Sequence, residues 1–370
     1  MNETLAHPAL DLERLRRIGL TPHVLQHLTA LAASAAGPAL SQALRVTEVQ
    51  RESLLLHDGE DEHAARMLPA LRVELQHTSD AIGVGDWVLA RCNEHGQWWV
   101  HTRVPPANQL ARRLHDGRDK VTRAVIVSNV DTALLVMGLD HDYSLRRLER
   151  FVALAHMAGV TAVVVLTKKD LCSNTDADAR LRQARAVLPA GTPALAVNAL
   201  GDEAARALAP WLQAAQTLVL LGSSGAGKST LTNALCGGAV ADTGANRSGD
   251  SRGRHTTTAR TLHLTPSGAC VIDTPGLRTL RLDGDADRLG AAFDDVARLA
   301  QSCRFGDCQH GDEPGCAVRE GVSAERLRSF HKLLREARRD TLTARERKAQ
   351  VSVWKSRTLE GRFRAETKRG

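Results

Sequence analysis

The chain has 370 residues, of which 43% are apolar and 25% charged, and a net charge of +7 with a pI near 9.3. This length exceeds one ordinary core and predicts two or three domains, while the composition excludes an intrinsically disordered chain. The longest apolar runs, such as residues 162–166 and 218–221, have strand length, which excludes a bilayer-spanning helix, and the first 20 residues lack the apolar core of a signal peptide, so a cytoplasmic location is expected.

Residues 1–39 are Ala/Leu-rich with helical spacing and read as a helical extension to which no function attaches. From 40 to 117 the pattern changes to short alternating runs broken by turns; 44–49, 53–56, 85–89 and 98–100 read as strands. About five short strands in this span predict a small closed β-barrel. Residues 118–284 alternate strand-like runs (124–127, 132–137, 162–166, 218–221, 270–272) with helical stretches such as 144–158 and 177–187, the pattern of a mostly parallel sheet covered by helices. Residues 285–340 are helical around a cysteine cluster. The tail, 341–370, holds nine Lys/Arg against three Glu and suits a polyphosphate partner; its alternative reading is a solvated helix end and a frayed terminus.

The chemistry begins at residues 218–221, an apolar strand that leads into Gly222-Ser223-Ser224-Gly225-Ala226-Gly227-Lys228-Ser229-Thr230 and then a helix. This is G-x-x-x-x-G-K-[ST] in its required strand–loop–helix setting. Its glycines let backbone N–H groups converge on phosphates at a helix N-terminus. Lys228 is placed for the β- and γ-phosphates and the Ser229 hydroxyl for Mg²⁺. The base is chosen elsewhere. Thr167-Lys168-Lys169-Asp170 ends the strand-like run 162–166, and a carboxylate there accepts from guanine N1–H and the 2-amino group, a donor pair that adenine lacks. Thr167 stands where this N/T-K-x-D motif more usually has Asn. Asn198-Ala199, after another apolar run, is placed for backbone contact to the guanine oxygen.

Asp273-Thr274-Pro275-Gly276 ends a further strand; Asp273 fits a water-mediated Mg²⁺ ligand and the Gly276 N–H a γ-phosphate sensor. Between these motifs lies Gly253-Arg254-His255-Thr256-Thr257-Thr258, in a polar Gly-rich loop suited to ordering with the γ-phosphate. Thr257 is favoured over Thr256 to complete the Mg²⁺ shell. The residue after Gly276, where Ras-type enzymes carry a water-orienting Gln, is Leu277, which cannot orient water by hydrogen bonding; slow intrinsic turnover until a partner arranges the loops is expected. His255 is a candidate water-positioning group, the alternative being a loop histidine that contacts phosphate or RNA. The guanine motif precedes the phosphate loop, the reverse of the ordinary order.

Of seven cysteines, Cys92, Cys172, Cys236 and Cys270 are scattered and read as buried or free thiols. Cys303, Cys308, His310 and Cys316 form C-x₄-C-x-H-x₅-C, a closed tetrahedral Zn²⁺ set with no open position, so the zinc is expected to be structural. Clustered free thiols with a surface histidine are the alternative.

With these residues assembled, the sequence resembles the small ribosomal subunit biogenesis GTPase family (RsgA, also called YjeQ). The resemblance runs from about residue 40 to about 340 and rests on Gly85-Asp86-Trp87-Val88, Asn129-Val130-Asp131, the motifs at 167–170, 222–229, 253–258 and 273–276, and the Cys/His cluster. It implies an OB-fold barrel, a circularly permuted P-loop GTPase domain and a small helical zinc domain. It further implies a GTP phosphohydrolase, Mg²⁺-dependent, that binds the 30S subunit through 16S rRNA and assists its late maturation with subunit-stimulated turnover. A monomer off the ribosome is expected. By analogy, Trp98, Arg103, Arg112 and Arg113 are plausible RNA contacts of the barrel, and Trp87 is core.

Overall fold

The computed structural model describes residues 11–33, 41–78, 80–115, 121–241, 260–275 and 288–341. Two helices, α1 (Leu12–Arg17) and α2 (Pro22–Ala33), open the chain. Asp11 caps α1 by accepting the Arg14 N–H at 3.1 Å. Strands β1 (Gln42–Val49), β2 (Leu54–His57) and β3 (Glu62–Met67), helix α3 (Pro69–His77), and strands β4 (Trp87–Cys92) and β5 (Trp98–Arg103) follow. Their pairing runs β1–β2–β3–β5–β4 and returns to β1 through Leu44↔Val88, so the sheet closes into a five-stranded barrel. Leu44, Val46, Leu56, Val88, Ala90 and Val100 fill its interior. This is the OB-like barrel expected from the strand-and-turn pattern, with α3 joining β3 to β4.

The barrel ends earlier than the sequence reading placed it. Strand β6 (Gln109–His115) is not a barrel strand; it pairs along its length with β7 (Val121–Ser128) as a separate antiparallel ribbon. The chain then enters a sheet through β8 (Thr132–Gly138), α4 (Leu145–Met157), β9 (Thr161–Thr167), α5 (Asn174–Val187), β10 (Ala194–Ala196), α6 (Glu203–Leu208), β11 (Thr217–Leu221), α7 (Lys228–Cys236), β12 (Thr261–Leu264) and β13 (Cys270–Asp273). All seven residues of β8 are buried, as a central strand covered by helices on both faces requires. The order β10-β9-β8-β11-β13-β12 is parallel except for β12. Sheet order thus differs from chain order, and moving the chain ends among neighbouring strands leaves the sheet complete.

Four short-to-long helices finish the described chain: α8 (Leu289–Ala292), α9 (Asp294–Ala300), α10 (Ala317–Gly321) and α11 (Ala324–Thr341). Phe293, Val296, Val318 and Leu333 share one core with α4 and the sheet. Arg326 clamps the two units: it donates to Asp295 and Glu149, at 2.6 and 2.7 Å, and to Val187 O at 2.9 Å, with its guanidinium over Phe293.

Barrel, N-terminal helices and sheet meet at Arg45, whose side chain is fully buried. From barrel strand β1 it donates to Ile18 O (2.5 Å) just after α1, to Asn129 O (3.2 Å) in the turn before β8 and to Thr217 Oγ1 (2.9 Å) on β11. Asn129 adds a second bolt, donating to Gly85 O at 3.0 Å and accepting from Ala107 N. The motif residues 129–131 and 85–88 are therefore joinery. Gly85 has φ +90°, and a Cβ there would lie 2.2 Å from Ser128 O. Trp87 is fully buried beneath α1 and α2, as expected. Replacing Arg45 by Met leaves those acceptors buried and unpaired and is expected to cost about 3 kcal/mol, read from the shift in urea midpoint.

Candidate functional site

Because β10, β9, β8, β11 and β13 are parallel, their carboxyl ends lie on one edge, and the segments at 167–170, 198–199, 222–230 and 273–275 leave from it. Open α/β sheets bind ligands at that edge. β11 delivers the phosphate loop. A Cβ on Gly222 would sit 2.4 Å from Val136 O, so glycine is required where the loop passes over β8. Gly225 and Gly227 take positive φ, +82° and +90°, and Gly227 caps α7. Lys228, the first residue of α7, is 6% exposed and its ammonium donates to Gly222 O (3.1 Å) and Ser223 O (2.7 Å). Loop carbonyls hold this cation inside the curve of the loop. Ser224 and Gly225 at the tip are exposed, Ala226 is buried, and Thr230 lies in the first turn of α7.

β13 brings Asp273 to the same place. The Ser229 hydroxyl donates to its Oδ2 at 3.2 Å, while its Oδ1 is buried with no hydrogen-bond partner among the described residues. Burial pushes the Asp273 carboxyl above its ordinary range, against the pull of Lys228 and Ser229. Thr274 latches this loop to the phosphate-loop strand, donating to Leu220 O at 2.6 Å.

β9 ends at Thr167, fully buried, whose hydroxyl donates to Ala226 O of the phosphate loop at 2.6 Å. The loop at 167–170 and the phosphate loop therefore touch across the end of β8. Lys168 adopts φ +62°, and its ammonium pairs with Asp140 at 2.7 Å. Lys169 pairs with Glu203 at 3.1 Å, and its backbone N–H donates to Val197 O. Asp170 is exposed, and none of the described residues bonds to its carboxylate. The Asn198 N–H reaches Glu203 at 3.4 Å, and Ala199 is buried beside it. All these residues converge on one edge. His255, Thr257, Gly276 and Leu277 lie outside the described residues.

Two carboxylates at this edge escaped the sequence reading. Asp140 anchors Lys168; Asp142 accepts from the Ser223 hydroxyl, from Gly138 N (3.2 Å) and from Arg147 (2.8 Å), bracing the phosphate loop from the side. Their only signal was position, immediately after the β8 run.

In the C-terminal helices the ligand atoms of Cys303, Cys308, His310 and Cys316 all lie within 4.8 Å of one another. Cys303 Sγ and Cys316 Sγ are 3.9 Å apart, and each is 3.6 Å from His310 Nδ1. Zinc bonds of about 2.0–2.3 Å in a tetrahedron give edges near those values, so donor set and spacing are consistent with one zinc. Glu313 braces the turn that carries His310, accepting from Gln309 N (3.0 Å) and Gly311 N (2.6 Å). All seven cysteines are free of disulfides.

Two of the barrel residues read from sequence as RNA contacts, Arg103 and Trp98, have partners within the chain. Arg103 is no free phosphate ligand: its side chain is 6% exposed and pairs with Asp80 (2.6 Å) and Asp86 (3.1 Å). Trp98 packs against the barrel core and stacks on His63 with ring centres 4.7 Å apart, so its ring is not presented outward. Arg112 and Arg113 sit on β6 opposite Ala124 and Arg123, and their side chains lie outside the described residues.

A family model described as RsgA GTPase matches residues 104–283. The small ribosomal subunit biogenesis GTPase RsgA 2 of Vibrio parahaemolyticus is 41% identical over 286 residues, covering 76% of this chain and 77% of the relative. The chain belongs to the RsgA GTPase family. The RsgA of Leptospira interrogans is 38% identical over 302 residues (78% of this chain, 83% of the relative), and that of Xanthomonas campestris 43% identical over 286 (76% of each). Among solved structures, YjeQ from Thermotoga maritima matches with a TM-score of 0.58 at 23% identity, over 80% of this chain and 98% of that one. YloQ, described as a circularly permuted GTPase, matches at 0.54 and 22%, over 84% and 99%. RsgA membership accounts for the permuted motif order and implies Mg²⁺ together with GTP. The structure fits that pair: the Ser229 hydroxyl and the unpartnered Asp273 Oδ1 are oxygens of the kind a hard cation takes. No helix among the described residues is long and apolar enough to cross a membrane.

Proposed function

We propose that this RsgA-family chain is a cytoplasmic, Mg²⁺-dependent GTP phosphohydrolase that binds the 30S ribosomal subunit through 16S rRNA and assists its late maturation, with turnover stimulated by the subunit. The observation that carries the GTPase part is the 2.6 Å bond from Thr167 Oγ1 to Ala226 O, which joins the base-reading loop to the phosphate loop as one nucleotide requires. In this reading Asp170 receives guanine N1–H and the 2-amino group, with Lys168 along the base and Asn198-Ala199 at its oxygen. The N–H groups of 222–230 and Lys228 hold the phosphates, and Ser229, Thr257 and, through water, Asp273 surround Mg²⁺. Gly276 senses the γ-phosphate and His255 positions water, a task Leu277 cannot perform.

The names of the curated relatives support the small subunit as partner. The fold supports stimulated turnover. β12, which follows the 253–258 segment in sequence, pairs directly with barrel strand β1 at Glu48↔Thr261, so the barrel and the strand leaving that segment are bonded together. One structural zinc, held by Cys303, Cys308, His310 and Cys316, completes the C-terminal helices, and the protein acts as a monomer away from the subunit.

GTP hydrolysis measured against rising 30S concentration tests the proposal. Turnover is expected to increase with 30S, not with 50S, and the increase to fall steeply with added salt because phosphate contacts dominate the footprint. Turnover indifferent to 30S leaves a passive GTP-bound RNA binder; a response to 50S reassigns the partner.

A further inference from the structure

We propose that the outer wall of the barrel carries a stacking site for a nucleotide of single-stranded RNA, with Trp99 as its platform and Arg66 and Arg91 as flanking phosphate ligands. This rests on the proposed work on the small subunit and gives that reading a surface. The register fixes the arrangement. Trp99 on β5 lies opposite Arg66 on the parallel strand β3 and opposite Arg91 on the antiparallel strand β4. Directly paired residues share a face of a sheet. The flanking rows, Ala65 with Trp98 and Ala90 with Val100, pack into the barrel core, which turns the Arg66–Trp99–Arg91 row outward.

The row is also accessible. Arg66 and Arg91 are exposed and Trp99 is half-buried. Helices α1 and α2 cover the outward residues further along, Ala43, Trp87 and Leu89, leaving the row beyond their hydrophobic contact. No ion pair joins Arg66 or Arg91 to a carboxylate among the described residues. This contrasts with Arg103 at the end of β5, which Asp80 and Asp86 neutralise.

The chemistry of an aromatic ring between two unneutralised guanidiniums, spaced by neighbouring strands about 4.8 Å apart, fits a base on the ring with phosphates to either side. A protein partner would need a carboxylate pair around an apolar group. Paired RNA keeps its base faces stacked inside the helix, which leaves Trp99 nothing to stack on, so the site selects single strands.

The test uses the full chain and a short fluorescein-labelled single-stranded oligoribonucleotide, alone or annealed to its complement. Trp99→Leu keeps the apolar bulk that shields the wall but removes the π-face, and is expected to weaken single-strand binding about tenfold with unchanged salt dependence. Trp99→Phe is expected to restore most of it. The double variant Arg66→Ala/Arg91→Ala is expected to reduce the slope of log K against log salt by about 1.4, two phosphate contacts' worth. Thermal midpoints close to the parent's show that the variants fold. Trp99→Leu binding within about twofold of the parent, or duplex bound as tightly as single strand, overturns the site. If that happens while 30S still stimulates the parent's GTPase, only the stacking site falls; absence of 30S stimulation in the parent removes the function beneath it.

Discussion

Asp170→Asn is expected to abolish selective GTP binding while leaving the fold intact. The Asp170 carboxylate is exposed at the end of β9, so the change removes no contact to the described residues and the melting temperature should hold. Its proposed task is with the base. Guanine presents two parallel donors, N1–H and the 2-amino group, and a carboxylate offers two acceptors. An asparagine turns one acceptor into a donor that faces a donor. Sites built around a hydrogen-bonded group discriminate by about 10⁴-fold when the pairing fails, and a loss of GTP affinity on that scale is expected here. Xanthosine triphosphate has a carbonyl where guanosine has the 2-amino group, so it should bind the variant better than GTP does. Competition against a fluorescent nucleotide measures both. A variant that still prefers GTP over ATP would place base recognition elsewhere on the sheet edge.

The parts of this site that could be read in the sequence are those whose chemistry is written in a local string. The phosphate loop needs glycine at 222, where any Cβ meets Val136 O, and at 227, where φ is +90°, so its pattern is forced by sterics within one turn of chain. β8 announced itself as an unbroken apolar run because both its faces are covered. The four candidate zinc ligands lie within fourteen residues of one another, at spacings that fit a tetrahedral metal.

What escaped was set by tertiary pairing. β3, Glu62–Met67, has Ala65 as its one fully buried residue and no strand signature of its own; its neighbours in the barrel make it a strand. Trp98 and Trp99 are adjacent, so alternation says only that they face opposite ways. The partners Ala65, on the inner wall, and Arg66, on the outer, decide which is which. Arg103 reads as a surface charge until Asp80 and Asp86 arrive from 23 and 17 residues away. Asp140 and Asp142 belong to no motif, because their partners Lys168 and Ser223 come from two other strands' loops.

Zinc removal is the other large effect. The chain should carry one zinc, measurable by metal analysis of the purified protein, and Cys316→Ser should lose it. Structural zinc sites bind with apparent free energies of about 10–16 kcal/mol, more than the whole stability of many small domains. Cys316 is 2% exposed and leads directly into α10, so its loss frees both the metal corner and that helix. The damage should be one-sided. The core face containing Phe293, Val296, Val318 and Leu333 also contains α4, whereas the opposite face, packed by α6 and α7 beneath the phosphate loop, draws no residue from the C-terminal helices. Hydrogen exchange should therefore accelerate across 294–341 and in α4 while α7 stays protected and nucleotide still binds. The Arg326 clamp on Glu149 and Asp295 predicts that order of loss: it is what transmits an unpinned α11 to α4. Chain that is free of zinc as purified, with α10 and α11 as protected as the sheet, would show that the three thiols and the histidine are neighbours without a metal.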